Sequence, residues 1–251
     1  MAKLKFIRRV EINAILITGG ASGLGEELTR KFATSGNYNV YFTYNKASDK
    51  AADIELEFPC AKAIKCDFTN IESLQNLLER MVEMNLDILI NNALAGMKTK
   101  HFHQNSPADF LTSFKDNVIP TLSITQQAIK LFRKNKYGRI VTVLTSYLAN
   151  TPPTGLSEYV ANKAYLLSLS KSWANENSRF NITSNCISPS MMKTSLISEM
   201  DERQIDGVID NIPLKRLITT KEVSDSIYFL ATASQHINGT NLLINGGVDV
   251  I

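Results

Sequence analysis

The segment from Ile12 to Gly25 constrains the fold more than any other. A short, nearly continuous apolar run, Ile12-Asn-Ala-Ile-Leu-Ile17, leads directly into Thr18-Gly-Gly-Ala-Ser-Gly-Leu-Gly25 and then a helix-period stretch to about Gly36. A strand that lacks polar alternation is buried on both faces, as in a parallel sheet. A strand, a glycine-rich turn and a helix N-terminus in that order can make an anion site. The glycines let the backbone approach a pyrophosphate, and free N–H groups with the helix dipole point at it. Gly19, Gly23 and Gly25 do not have the G-x-G-x-x-G spacing of the commonest dinucleotide fingerprint, so alone the turn reads either as a nucleotide loop or as a structural loop.

The rest of the chain repeats this alternation. Strands are expected at Tyr38 to Tyr44, Ala61 to Cys66, Leu86 to Asn91, Arg139 to Leu144, Ile182 to Ile187 and Asn241 to Ile244. Helices are expected at Ala47 to Phe58, Ile71 to Met84, Pro107 to about Lys134, Ser157 to Ser178 and Thr220 to about Ala231, with a variable segment at about 190–215. Strands and helices joined by short connections imply an α/β doubly wound parallel sheet, with helices on both faces and a ligand at the carboxyl ends of the strands. At 251 residues, 44% hydrophobic and 20% charged, the chain suits one large domain spanning 1–251. No internal repeat or low-complexity linker divides it.

Several function classes are disfavoured. Cys60, Cys66 and Cys186 are odd in number and lack metal-ligand spacing, which fits a reducing cytosol better than a disulfide framework or a zinc site. Lys3, Lys5, Arg8 and Arg9 precede an apolar run as in a signal peptide, but Glu11 and Asn13 interrupt it and a glycine turn follows, so a cytoplasmic protein is expected. No segment approaches the ~18 apolar residues of a membrane span. A net charge of +3 gives no argument for nucleic-acid binding. His101-Phe-His103 has no nearby carboxylate or cysteine to complete a metal site, and no metal is expected.

Chemistry is expected at Tyr159-Val-Ala-Asn-Lys163, with Ser146 thirteen residues upstream. Tyr159 is the one tyrosine of eight with a lysine four residues on, which places both on one helical face. By itself such a pair is an ordinary surface contact. Near an ammonium, however, a phenol is a better acid than its reference pKa of ~10 implies. Pro120 lacks the N–H that would bond the carbonyl of Asp116, so it either kinks the chain beside Asn117, as suits a water site, or serves packing.

Taken together, these residues resemble the short-chain dehydrogenase/reductase family in its short single-domain form, along essentially the whole chain. Thr18 to Gly25 resembles its T-G-x-x-x-G-x-G, and Asn91-Asn-Ala93 resembles its N-N-A-G. Asn117, Ser146, Tyr159 and Lys163 fall at the places of its catalytic tetrad, and Pro189 with Thr194 matches P-G-x-x-x-T. Leu94 and Ser190 stand where the family has glycines, which puts the local loop shape in question. The resemblance implies a Rossmann-type domain in which Tyr159 gives a proton to a carbonyl oxygen. Lys163 lowers the phenol's pKa and holds the nicotinamide ribose, Ser146 orients the carbonyl, and Asn117 supports a water-mediated proton relay. It implies cofactor contacts at Thr18, Gly19, Ser22, Gly23, Leu24, Gly25, Tyr44, Asn45, Lys46, Asp67, Phe68, Asn92, Ala93, Tyr159, Lys163, Pro189 and Thr194.

At the end of the second strand, Thr43-Tyr44-Asn45-Lys46 has no carboxylate to repel a 2′-phosphate, so NADP(H) is expected over NAD(H). The apolar residues Met191, Met192, Leu196, Ile197, Met200, Ile205, Val208 and Ile209 suit either a cover for a hydrophobic substrate or a lid packed on its own protein. Lys130, Arg133, Lys134, Lys136, Arg139 and Arg179 are either helix C-terminal charge or, by resemblance to 3-oxoacyl-acyl-carrier-protein reductases, a docking patch for acidic acyl carrier protein. The Ser157 to Ser178 helix carries two apolar stripes, Val160/Ala164/Leu167 and Leu166/Leu169/Trp173, and with the resemblance this implies a homo-oligomer, dimer or tetramer. The expected activity is NADPH-dependent reduction of a 3-oxoacyl thioester. The alternatives are another small carbonyl substrate, such as a sugar, steroid or xenobiotic, or a non-catalytic cofactor-binding regulator.

Overall fold

The apolar run near the start forms β1 (Asn13–Ile17), and its Ile15, Leu16 and Ile17 are wholly buried in the computed structural model, which describes residues 13–149, 151–194 and 201–248. Lys3, Lys5, Arg8, Arg9, Glu11 and Ile12, together with Leu196, Ile197 and Met200, lie outside the described residues. From β1 the chain runs through α1 (Gly23–Thr34), β2 (Tyr38–Tyr44), α2 (Ser48–Glu57), β3 (Ala61–Lys65), α3 (Ile71–Met81) and β4 (Leu86–Asn91). It continues through α4 (Pro107–Asn117), α5 (Ile119–Asn135), β5 (Gly138–Val143), α6 (Ser157–Asn177), β6 (Ile182–Pro189), α7 (Glu202–Asn211), α8 (Thr220–Thr232) and β7 (Asn241–Ile244).

The seven strands are parallel and ordered β3-β2-β1-β4-β5-β6-β7. The order reverses between β1 and β4, so a crevice opens at their carboxyl ends, where Thr18 and Asn92 stand. One buried cluster joins α1, α2 and α8 to the sheet through Leu28, Phe32, Ile54 and Ile227; another joins α3 and α5 to it through Leu77, Met81, Ile124 and Phe132. Phe32, Phe42 and Phe132 are fully buried, and truncating any one to Ala should cost ~3–5 kcal/mol.

Two elements differ from expectation. The single helix expected from Pro107 to about Lys134 is two, parted at Val118, and Pro120 is the second residue of α5, where a missing N–H leaves no bond unmade. The expected variable segment contains α7, whose Ile205, Val208 and Ile209 are half-buried at helical spacing.

Candidate active site

The glycine turn is built by backbone proximity. Gly19 and Gly23 have φ of +69° and +52°, in the left-handed region that favours glycine. A Cβ on Gly25 would lie 1.9 Å from the Gly19 carbonyl oxygen, so only glycine lets α1 start this close to the turn. Two buried threonines that the sequence reading did not single out lock the turn. The Thr29 hydroxyl donates to the carbonyls of Gly20 and Gly25, both at 2.9 Å, and Thr43 Oγ1 accepts from Gly19 N at 2.9 Å. Their only signal in the sequence is a polar side chain within a buried helical or strand face.

Thr18 links the turn to β4: its Oγ1 accepts from Asn92 N at 2.9 Å and Ala93 N at 3.0 Å, while Asn92 Nδ2 donates to Thr18 O at 2.9 Å. Ser22 precedes α1 in extended conformation and makes no side-chain cap, so it leaves the first-turn amides without a side-chain acceptor. A Cβ on Gly23 would come within 3.4 Å of Thr194, so the turn and the segment after Pro189 face one another. A cradle that side chains would fill, beside an uncapped helix start, fits a dinucleotide pyrophosphate. Leu24, by contrast, buries its side chain in the core, and the Tyr44 and Phe68 rings pack partly on core clusters. Asp67 is held by Thr69, through its N–H at 2.9 Å and its hydroxyl at 2.8 Å. Those bonds, then Asn45 and the Lys46 charge, hold its carboxyl below the usual range.

Tyr159 and Lys163 sit one turn apart on α6 and line one pocket with Asn117 and Leu94. Burial pushes the Tyr159 phenol up to about 12, against the pull of a hydrogen bond from the Thr145 side chain. Burial pushes Lys163 down to about 8. Its Nζ donates to Val143 O at 2.7 Å and lies 5.7 Å from the centre of the Tyr159 ring. The expected lowering of the phenol's pKa by Lys163 is not seen here: desolvation raises it instead.

Asn117 Oδ1 accepts from Ala95 N at 2.9 Å and its Nδ2 donates to Ser113 O at 3.1 Å, so this side chain ties α4 to the loop after β4. Asn162 Nδ2 donates to Ser113 Oγ at 3.0 Å across the same pocket, a link that motif spacing did not suggest. Ser146 opens a 3₁₀ turn (Ser146–Leu148), is 4% exposed and is not among the residues lining the pocket. Leu94 and Ser190 replace the family's glycines without strain, because the non-glycine residues with positive φ among those described are Asn85, Lys136, Asn181 and Lys215.

The basic cluster needs one correction. Arg139 is 5% exposed and spends its guanidinium on the carbonyls of Gly138 and Asn181, because it lies inside β5; Lys130, Arg133, Lys134, Lys136 and Arg179 are exposed. Phe180 sits between Arg133 and Arg179, 4.8 and 4.9 Å from its ring centre. On α6 the two stripes separate unevenly, with Val160, Leu166 and Trp173 buried, Leu167 and Leu169 half-buried and Ala164 exposed. The three cysteines are free. Among the described residues no group of three or more His, Cys, Asp or Glu is placed to hold a metal ion, and no helix is long and apolar enough to cross a membrane.

The model of a family described as enoyl-(acyl carrier protein) reductase matches residues 19–249. The chain is 28% identical over 239 residues to nodulation protein G of Rhizobium sp. (strain N33), covering 94% of this chain and 96% of the relative. It is 28% identical over 234 residues to a 3-oxoacyl-[acyl-carrier-protein] reductase of Rickettsia bellii, covering 93% and 95%. A crystal structure of 3-ketoacyl-(acyl-carrier-protein) reductase from Brucella melitensis complexed with NADH superposes with a TM-score of 0.85 at 25% identity, covering 96% of this chain and all 100% of that one.

Proposed function

The chain belongs to the short-chain dehydrogenase/reductase family of oxidoreductases acting on CH–OH and C=O groups, and from that premise we propose that it is a cytosolic NADPH-dependent ketoreductase whose substrate is a 3-oxoacyl thioester. The observation that carries the reading is the meeting of the Tyr159 phenol and the buried Lys163 ammonium in one pocket at the carboxyl end of the sheet. The similarity to the 3-oxoacyl-[acyl-carrier-protein] reductases supports the substrate class.

The dinucleotide, when bound, supplies a hydride to the carbonyl carbon. The residues of the chain hold and move the proton. With its phenol pushed up to about 12, Tyr159 is protonated at neutral pH and gives its proton to the carbonyl oxygen as negative charge develops there. Lys163, still mostly protonated at neutral pH with a pKa near 8, faces the phenolate that forms and steadies it through space. Asn117 fixes the loop that walls the pocket, and Ser146 orients the carbonyl oxygen by a hydrogen bond.

Tyr44-Asn45-Lys46 supports NADP(H) over NAD(H), since no carboxylate ends β2 and Lys46 is exposed. Met191, Met192 and the half-buried face of α7 would cover the acyl chain. Arg133 and Arg179 around Phe180 would receive an acidic acyl carrier protein. Leu111, Ile119 and Tyr165, exposed on α4, α5 and α6, would meet a second copy of the chain.

The test follows NADPH consumption with a panel of 3-oxoacyl thioesters and simple ketones. Turnover with the thioesters and a loss of ~10² to 10⁴-fold in Y159F are expected for a general acid. No oxidation across the panel, or near-wild-type turnover in Y159F, would refute the proposal.

A further inference from the structure

Two helices wall the pocket that holds Tyr159 and Lys163, and the side chains that tie them together have so far no part in the chemistry. α6 presents Glu158, Tyr159, Asn162, Lys163 and Leu166 to the pocket, positions i, i+1, i+4, i+5 and i+8 that share one helical face. α4 presents Ser113 and Asn117, one turn apart. Between the helices, Asn162 Nδ2 donates to Ser113 Oγ at 3.0 Å, and both residues are half-buried. The connection then passes to Asn117, whose Nδ2 donates to Ser113 O at 3.1 Å and whose Oδ1 accepts from Ala95 N at 2.9 Å. Three bonds thus run from the residue beside Lys163, across α4, to the loop after β4.

What else holds each wall decides how much this link matters. α6 is anchored to the sheet, with Val160, Leu166 and Trp173 buried and the Lys163 ammonium bonded to Val143 O at 2.7 Å. α4 has no buried residue, so apolar burial fixes it weakly. Phe114 of α4 packs edge to face on Tyr165 of α6, with 5.1 Å between ring centres, a contact that carries little directional constraint. A hydrogen bond, by contrast, has a preferred length and angle and sets the register of the two helices. We propose that Asn162 is a positioning residue for the proton transfer: it holds Ser113, and through Ser113 the Asn117 clamp on the pocket loop, in register with the helix that carries Tyr159 and Lys163. This rests on Tyr159 being the proton donor. Asn162 itself acts at one remove, through α4. Without its amide the far wall can shift against the phenol, and a misplacement of ~1 Å in a reacting arrangement costs up to ~10²-fold.

The test measures kcat and KM separately, with NADPH and whichever thioester or ketone of the panel is turned over fastest. N162L keeps the size of the side chain and removes the amide; N162A replaces it should the leucine variant fold poorly. In either, kcat should fall ~10-fold while the KM for NADPH and NADPH binding followed by fluorescence stay unchanged, because the glycine turn takes no part in the link. S113A removes the same bond from its other end and should lower kcat by a similar factor. In S113A/N162L the two losses should not multiply, since each removes one shared interaction. Wild-type kcat in N162L, losses that multiply in the double variant, or a fall in kcat matched by weaker NADPH binding, as a loosened fold would give, overturns the proposal. Y159F separates the failures: if it remains active, the proton-donor reading itself falls; if it is inactive while N162L keeps the wild-type kcat, only the role of Asn162 falls.

Discussion

Replacing Lys163 with methionine should make the cofactor-free protein more stable at neutral pH while abolishing turnover. The Lys163 side chain is buried, and burial lowers its pKa from 10.5 to about 8, so the folded state resists protonation that the unfolded chain accepts. Between about pH 8 and 10.5 the unfolded state therefore binds more protons and stability rises with pH; below 8 that stability is absent. A shift of this size corresponds to ~3 kcal/mol of destabilisation at pH 7. Methionine keeps the apolar stem but removes the donor to the Val143 carbonyl, which costs ~1 kcal/mol. The first effect wins, leaving a net gain of ~1–2 kcal/mol at pH 7, or a few degrees in Tm for a chain of this size. Urea unfolding of both proteins from pH 7 to 9.5 checks the reasoning, since other groups titrate alike and cancel in the difference. The advantage of K163M should shrink by ~2 kcal/mol across that range. A variant that is less stable at pH 7, or a difference that does not change with pH, would show that the ammonium is not desolvated as the geometry implies.

In G25A the added methyl meets the Gly19 carbonyl, so NADPH binding, measured by fluorescence titration, should be lost. In G207A, where a Cβ would meet no atom within 4 Å and the helix is regular, stability should rise by ~0.5–1 kcal/mol in thermal unfolding. Reversing the charge at Lys46 with K46E should raise the KM for NADPH by ~10-fold and spare that for NADH, as loss of one phosphate contact would do; equal effects on both would remove Lys46 from cofactor choice.

Much of the architecture was legible because it rests on local periodicity. The nearly continuous apolar runs of β1, β2 and β4 read as buried strands, and the helical spacing of Leu74, Leu77 and Met81 in α3 and of Val223, Ile227 and Leu230 in α8 reads as a face turned to a core. The glycines of the turn were legible as well, since a left-handed φ at Gly19 and a contact that no Cβ permits at Gly25 follow from what glycine lacks. The same local signals could not separate α4 from α5 at Val118, because a proline near the start of a helix and one that kinks a helix look alike in sequence. Nor could they show the helix α7, whose half-buried face depends on what lies beneath it.

The sequence by itself determined that a glycine turn, a phenol and an ammonium would be offered at strand ends, because residue type and spacing set which groups are presented. Only the tertiary structure decided how those groups meet. It turned Lys163 to the Val143 carbonyl and put Arg139 into the sheet and out of the basic surface. The physical reason is common to both: a side chain's partner depends on where its strand stops and what other elements bury it. Burial, which no spacing records, is also what sets the charge states of Tyr159 and Lys163.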